Sequence, residues 1–317
     1  MTPPRFSVVI PAFNAEQFLP CAIRSVLAQT DPRLELIVVD DGSTDKTVSV
    51  ACGFGDPRLR VLSRSNSGGP AAPRNEGILA SQGEYVAFLD ADDWWVPQKL
   101  AAFDAAIRSN PAAGLYFSNG FVTDAFGHVR HWILPPSTRE LPVRVSDERL
   151  ALLNYIPLSS AVVRRSLLSD HSFDEQAALH GVEDYLLWLD LNRRHPFHFV
   201  GSALFYKRQH SANLSADAHH QRERLRILID TLESWSAYPP DLIALSRTLN
   251  EVRYPSGPLR RAASLLVIAK AAIAHPLRTP RRLLGVARLR NPAPERNRVA
   301  AEPTRSRAAE LGTSLGV

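Results

Sequence analysis

The run "YVAFLDADDWW" (residues 85–95) carries an apolar stretch into three carboxylates, Asp90, Asp92 and Asp93, followed by Trp94 and Trp95. Like charges this close repel, so the arrangement calls for a cation or a set of donors in the space between them. Alternate residues of an extended chain share a face, which puts Asp90 and Asp92 side by side across Ala91. Two carboxylates so placed suit one hard divalent ion that keeps part of its water and also binds substrate phosphates. The two tryptophans either contact a ligand or start the next helix and pack.

Four further stretches hold residues able to do chemistry. In "VVDDGSTD", Asp40 and Asp41 stand at the exit of an apolar run, before Gly42 and a Ser/Thr cap; Asp41 reads as an acceptor for a base N–H ahead of a plain turn and cap residue. "NSGGPAAPRNEG" has the small residues that let backbone approach a ligand, with Arg74 and Asn75 as donors, but lacks the spacing of a P-loop or a dinucleotide fingerprint. In "GVEDYLLWLDLNRR", Glu183 and Asp184 open an apolar helix, where a carboxylate serves as a general base or merely complements the helix dipole. In "FYKRQHSANLS", His210 follows an aromatic strand beside Lys207 and Arg208, either as a metal or diphosphate ligand or as a structural histidine.

These residues need a scaffold that gathers them. Short β-branched runs ("FSVVIPAF", "LELIVVDD", "LRVLS", "YVAFLD", "GLYFSN") alternate with helix-like segments over about 15–29, from "GSTDKT", over 73–81 and over 97–109. Strands with few polar positions are covered on both faces, so the reading is an α/β fold with a mainly parallel sheet. Ligands bind such sheets beyond the carboxyl ends of the strands, where residues 11–14, Asp40, Asp41 and Asp90–Asp93 converge. Turn-rich residues 120–157 predict a hairpin and an excursion over the sheet. A helix near 184–194 and a strand near 203–207 close the domain. The domain reading is residues 1–217, a helical C-terminal extension over 218–290 and a disordered tail over 291–317.

Composition narrows the function. Of the net +5, residues 258–317 supply 12 Lys and Arg against 3 Asp and Glu, leaving 25 against 29 over residues 1–257. A body that is acidic overall is not a surface for tracking phosphates, so nucleic acid is excluded as a partner. No signal peptide and no span-length apolar run is read, which points to the cytoplasm. Cys21 and Cys52 lack metal or disulfide spacing and read as packing residues. The basic tail, interleaved with Leu, Val and Ile, reads equally as a peripheral contact with the inner face of the plasma membrane and as a solvated appendage or dimer contact.

Five stretches, in order, resemble the family 2 glycosyltransferases of the GT-A fold, of the inverting, bacterial type: "SVVIPAFNAEQFLPCAIRSVLAQT", "LELIVVDDGSTDKT", "GGPAAPRNEGILASQGEYVAFLDADDWWVPQKL", "GVEDYLLWL" and "YKRQHSANLS". The resemblance covers about residues 5–215. It implies a Rossmann-like, mainly parallel sheet flanked by helices, with a nucleotide-diphosphate-sugar donor across its carboxyl edge. By that resemblance Pro11, Ala12, Asn14 and Glu16 line the nucleotide site, Asp41 contacts the base and Arg74 approaches base or diphosphate. Asp90 and Ala91 lie on the ribose side, Asp93 lies close to sugar or metal, and Glu183 flanks the donor. Asp92 holds Mg2+ or Mn2+ with His210 beside it, and Asp184 is the catalytic base.

The implied activity is inverting, metal-dependent transfer of a sugar to the hydroxyl of a saccharide or lipid-linked acceptor, in cell-surface polysaccharide or glycolipid synthesis. The alternative is a non-catalytic nucleotide-sugar-binding protein, against which both acidic motifs are intact. A sugar nucleotidyltransferase would need a glycine-rich triphosphate loop, which "IPAFNAEQ" is not. Phe13 stands where many members have Tyr, "LSDHSFDEQAALHGVED" lacks the family's glycine-rich turn, and there is no Q-x-x-R-W motif, which favours a single addition over processive synthesis.

Overall fold

The computed structural model describes residues 3–138, 141–210, 213 and 218–254. The basic stretch from Pro258 onward, including the boundary near residue 290 and the tail beyond it, lies outside the described residues.

Strand β1 (Phe6–Ala12) is buried everywhere except at Pro11, and β2 (Leu34–Asp40) at every position. Helix α1 (Leu19–Leu27) separates them. It starts four residues later than its sequence suggests, because Pro20 favours the first helical turn and residues 15–18 close a separate turn instead. There follow α2 (Thr47–Cys52), β3 (Leu59–Ser63), α3 (Ala71–Ala80), β4 (Tyr85–Phe88), β5 (Trp94–Trp95) and α4 (Lys99–Ser109). Trp94 and Trp95 thus neither start nor extend a helix; they form a short strand. Cys52, expected to pack, is exposed at the end of α2, and both cysteines are free.

The second half runs β6 (Leu115–Thr123), β7 (Val129–Trp132), α5 (Glu148–Leu152), a 3₁₀ turn (Leu158–Ser160), β8 (Val162–Arg164), α6 (Glu183–Asn192) and β9 (Phe197–Arg208). Helices α7 (Ala218–Ser234) and α8 (Pro240–Arg253) follow. The strands form one sheet in the order β3-β2-β1-β4-β8-β6-β9-β5, with β7 beside β6 as the expected hairpin. From β3 to β4 all pairs are parallel; β8 then enters antiparallel between β4 and β6, and β5 closes the far edge antiparallel to β9.

Alternation along β1 splits the interior in two. Val8 and Ile10 face a core with Leu19, Ile23 and Val26 of α1 and Phe103 of α4, whereas Val9 faces one with Phe88, Trp188 of α6, and Leu228 and Leu242 of α7 and α8. Each such side chain contributes ~1.5–3 kcal/mol when fully buried. The helices after residue 217 therefore share a core with the sheet, and the strand ends are held between two packed layers.

Candidate active site

A cleft of about 780 Å³ opens beyond the carboxyl ends of β1, β2 and β4, bounded by the start of α6 and the end of β9. It is lined by Pro11, Ala12, Asn14, Asp41, Arg74, Asp90–Asp93, Glu183, Asp184 and His210, among others. Glu16 is not brought there. Its carboxylate accepts the Lys46 N–H at the start of α2, because the turn after β1 points it at orphan helix donors and away from the lining expected of it.

On the β1–β2 side the wall is tightly knit. Asn14 adopts φ 46°, a left-handed conformation that Asn tolerates, and its Oδ1 accepts the Thr44 N–H at 2.9 Å. Gly42 has φ 75°, and a Cβ there would lie 2.7 Å from the Asn66 nitrogen, so the turn below Asp41 admits only glycine without a shift. Asp41 accepts from the Ser67 N–H (3.1 Å) and hydroxyl (2.9 Å).

In the centre, carboxylate oxygens of Asp90, Asp92 and Asp93 all lie within 4.8 Å of one another. Their surroundings differ. Asp90 accepts from Arg74 at 2.8 Å, and the other arm of the buried Arg74 guanidinium donates to Glu183, so one cation ties this acid to α6. Asp92 Oδ2 lies 3.0 Å from His210 Nε2 and accepts from Asn213 at 2.9 Å. Asp93 is 2% exposed, with Oδ1 accepting from the Arg208 N–H (2.8 Å) and Oδ2 from the Ser159 hydroxyl (2.6 Å). Burial, then the charge of Asp90, raises the Asp92 pKa; burial, then Asp92, raises that of Asp93 further. A cluster that resists ionisation in this way favours a bound cation, and an all-oxygen set with one imidazole beside it fits a hard divalent ion such as Mg2+ or Mn2+.

Asp184 sits in the first turn of α6, at the edge of the same cleft. Burial, then the neighbouring Glu183 charge, pushes its carboxyl up to about 7, against the opposing pull of Arg74 and Lys207. A carboxylate poised there matches the requirement for a general base near neutral pH.

The family model described as Glycosyl transferase family 2 matches residues 7–170, over half of the chain. The chain belongs to glycosyltransferase family 2. It is 31% identical over 185 residues, 58% of this chain and 68% of the relative, to the Escherichia coli UDP-Glc:alpha-D-GlcNAc-diphosphoundecaprenol beta-1,3-glucosyltransferase WfgD. Two other curated relatives, uncharacterized glycosyltransferases of Rickettsia conorii and Rickettsia felis, are longer: the chain spans only 38% and 39% of their length. Among solved structures, S. aureus TarS 1-349 with UDP-GlcNAc aligns with TM-score 0.58 at 21% identity, over 86% of this chain and 92% of that one. The mannosyltransferase PcManGT from Pyrobaculum calidifontis, with GDP-Man and Mn2+, aligns with TM-score 0.57 at 19% identity, over 90% and 80%. The fold is thus the GT-A fold, with a mixed, mostly parallel sheet.

Within this glycosyltransferase three residues stand at the acid cluster that the motif reading did not single out. Lys207 lines the cleft; burial alone would lower its pKa, but the fields of Asp93, Asp90, Asp184 and Asp92 raise it, so it is the cation all four acids share. Its signal was present in the sequence: in "LFYKR" it falls on the same face as Phe205, which is fully buried. Asn213 bridges Asp92 and the His210 backbone N–H, three residues past His210 in the same stretch. Ser159 belongs to no motif.

A row of planar groups leads away from the cluster. The Phe18 ring stacks on His210 (4.9 Å between centroids), the Arg208 guanidinium lies 4.9 Å from Phe18 and 4.5 Å from Trp94, and Trp94 stacks on Tyr206 at 5.0 Å. Phe121 and Trp132 continue the row across β6 and β7.

Proposed function

We propose that this glycosyltransferase is an inverting, divalent-metal-dependent enzyme that moves one sugar from a nucleoside-diphosphate-sugar donor to an acceptor hydroxyl. The acceptor is a saccharide or a lipid-linked saccharide, as the name of WfgD states for that relative, in the synthesis of a cell-surface polysaccharide or glycolipid. The observation that carries the reading is one cleft lined both by a cluster of three acids, Asp90, Asp92 and Asp93, and by a separate carboxyl, Asp184, at the start of α6.

In this reading the backbone and side chains of Pro11, Ala12 and Asn14 form the nucleotide wall, with Asp41 toward the base and Arg74 between base and diphosphate. Asp90 and Ala91 lie toward the ribose. Asp90 and Asp92 would hold Mg2+ or Mn2+ with His210 beside Asp92; when bound, the ion acts as a Lewis acid on the departing diphosphate. Lys207 adds fixed positive charge at the same place, which favours the developing negative charge of the leaving group. Asp184 takes the proton of the acceptor hydroxyl as that oxygen bonds to the anomeric carbon. The bond from the anomeric carbon to the donor phosphate oxygen breaks, and its electron pair leaves with the nucleoside diphosphate. A single displacement inverts the anomeric centre.

The test is incubation with a panel of nucleotide sugars and saccharide or lipid-linked acceptors in Mn2+, with and without EDTA, reading released nucleoside diphosphate and the product by mass spectrometry and NMR. Release and an inverted linkage, both lost in EDTA, are expected. Full release in EDTA overturns the metal, a retained linkage overturns the single displacement, and silence with every pair favours a donor-binding protein.

A further inference from the structure

The turn under the acid cluster comes from a segment, "NYIPLSSAVV", outside every motif. Its placement follows from the sheet: β8 pairs antiparallel with β4, Ala87 opposite Val162, so the residues entering β8 meet the residues leaving β4. Ser159, 1% exposed, is the point of contact.

Its hydroxyl lies 3.1 Å from the Asp90 nitrogen and 2.6 Å from Asp93 Oδ2. A hydroxyl has one proton and two acceptor positions, and a backbone N–H can only donate. The Ser159 oxygen therefore accepts from Asp90, and its one proton goes to Asp93. With Arg208 N–H on the other oxygen, Asp93 receives a donor at each end from two different strands' margins. It is braced from below, while Asp90 and Asp92 keep oxygens toward the cleft.

The turn that carries this hydroxyl is itself held. The Ser159 carbonyl accepts the Trp95 indole N–H at 2.9 Å, and the Ser160 carbonyl accepts the Lys99 ammonium at 3.1 Å. Lys99 is fully buried, with the rings of Phe103 and Trp95 at 4.3 and 4.9 Å. No carboxylate pairs with it among the described residues, and burial holds its pKa well below the usual lysine value. Placing a lysine without a counter-ion in a core is costly. Here the hydrogen bond of its ammonium group fixes the carbonyl next to Ser159.

Three crowded carboxylates repel, and the side chains of an unsupported turn would splay. We propose that Ser159 is a positioning residue for the divalent cation: by bracing Asp93 and the Asp90 backbone, it sets the Asp90 and Asp92 carboxylates at the spacing the ion needs. This rests on the metal-dependent reading above. Groups that orient ligands without touching the metal typically change its affinity by ~10- to 100-fold when removed.

The test is direct Mn2+ titration of the full chain by electron paramagnetic resonance, without donor, for the wild type and Ser159→Ala, alongside melting temperature and the Mn2+ dependence of transfer. Ser159→Ala is expected to raise the Mn2+ dissociation constant ~10- to 100-fold, while kcat at saturating Mn2+ stays within a few fold. Ser159→Cys, nearly isosteric but a weak donor, is expected to fall between the two, and it carries the test if the alanine variant fails to fold. If Ser159 acts through Asp93, adding Asp93→Asn to Ser159→Ala weakens Mn2+ binding less than the two single effects combined. Absence of Mn2+ binding by the wild type overturns the metal-dependent reading and this one with it. Wild-type binding that Ser159→Ala leaves unchanged, with only a lower melting temperature, overturns this inference alone, as do fully additive effects of the two substitutions.

Discussion

Along β3, β2, β1 and β4 the strands are parallel, and the cleft residues of that half stand at strand ends, in the turns just beyond them or in the loop and first turn of α3. In the half from β8 to β5 the pairing is mixed, and the polar cleft side chains come from a helix N-terminus, from inside β9 and from the residues just past its end: Glu183 and Asp184, Lys207, His210 and Asn213. The first half is a set of short turns hydrogen-bonded to one another, such as Thr44 to Asn14 and Ser67 to Asp41. The second half supplies charge and its control: the Lys207 cation among four acids, the raised Asp184 carboxyl and the donors that fix Asp93. The difference suggests a division of labour in which the first half presents the nucleotide wall and the Asp90–Asp93 acids, and the second surrounds those acids with donors and a cation and supplies the Asp184 carboxyl.

The strongest test of that division is at Asp184. Asp184→Asn is expected to lower kcat by ~10²- to 10⁴-fold while donor KM changes by less than threefold; full activity would remove Asp184 from its role. In the wild type kcat should climb with pH through about 7, since only the ionised carboxylate accepts a proton. The sign for stability is opposite. With a folded-state pKa above the unfolded value, this group stabilises the fold at low pH, and that contribution is lost as pH rises through about 7. The difference in melting temperature between Asp184→Asn and wild type should therefore widen between about pH 4 and about 7 and level off above it, and a constant difference from pH 4 to 8 would contradict the raised pKa.

A smaller effect is expected in the parallel half. Asp41→Asn removes a charged acceptor from the nucleotide wall, and a loss of about 1–1.5 kcal/mol raises donor KM roughly tenfold with kcat unchanged in steady-state kinetics. A fall in kcat with constant KM would erase the distinction between the halves. The smallest effect is expected at Glu16: Glu16→Ala leaves donor KM unchanged and lowers the melting temperature by a few degrees, the result of losing one acceptor at the start of α2, worth about 1 kcal/mol. A clear rise in donor KM would return Glu16 to the nucleotide site.

The same contrast explains what the chain revealed in advance. Apolar runs ending in Asp40 and Asp90 mark buried strands and their exits, because the strand, the turn and the acid are contiguous, and the crevice followed from that pattern. Asp184 was visible because a charged pair before eight largely apolar residues marks a helix start. Ser159 was not, since its contacts with Asp90 and Asp93 span 69 and 66 residues and depend on β8 lying beside β4. Short β8 carries no periodicity of its own, and its antiparallel entry turns an otherwise parallel sheet mixed. The full length of β9 was missed for a related reason: exposed Gly201 and Ser202 interrupt its pattern where the register with β6 shifts. Lys99 was hidden because a lysine at the start of a helix ordinarily faces water.

The row of rings that begins at His210 gives the enzyme an optical property. Trp94 lies nearly parallel to Tyr206, 11° between planes, with the Arg208 cation against it and Phe18 and His210 beyond. Close-packed groups transmit displacement, so a tilt of the imidazole beside Asp92 passes through Phe18 and Arg208 to the indole. If a metal binds at Asp92 as proposed, the near-ultraviolet dichroism contributed by Trp94 is expected to change with it, without a label and without a substitution in the cleft.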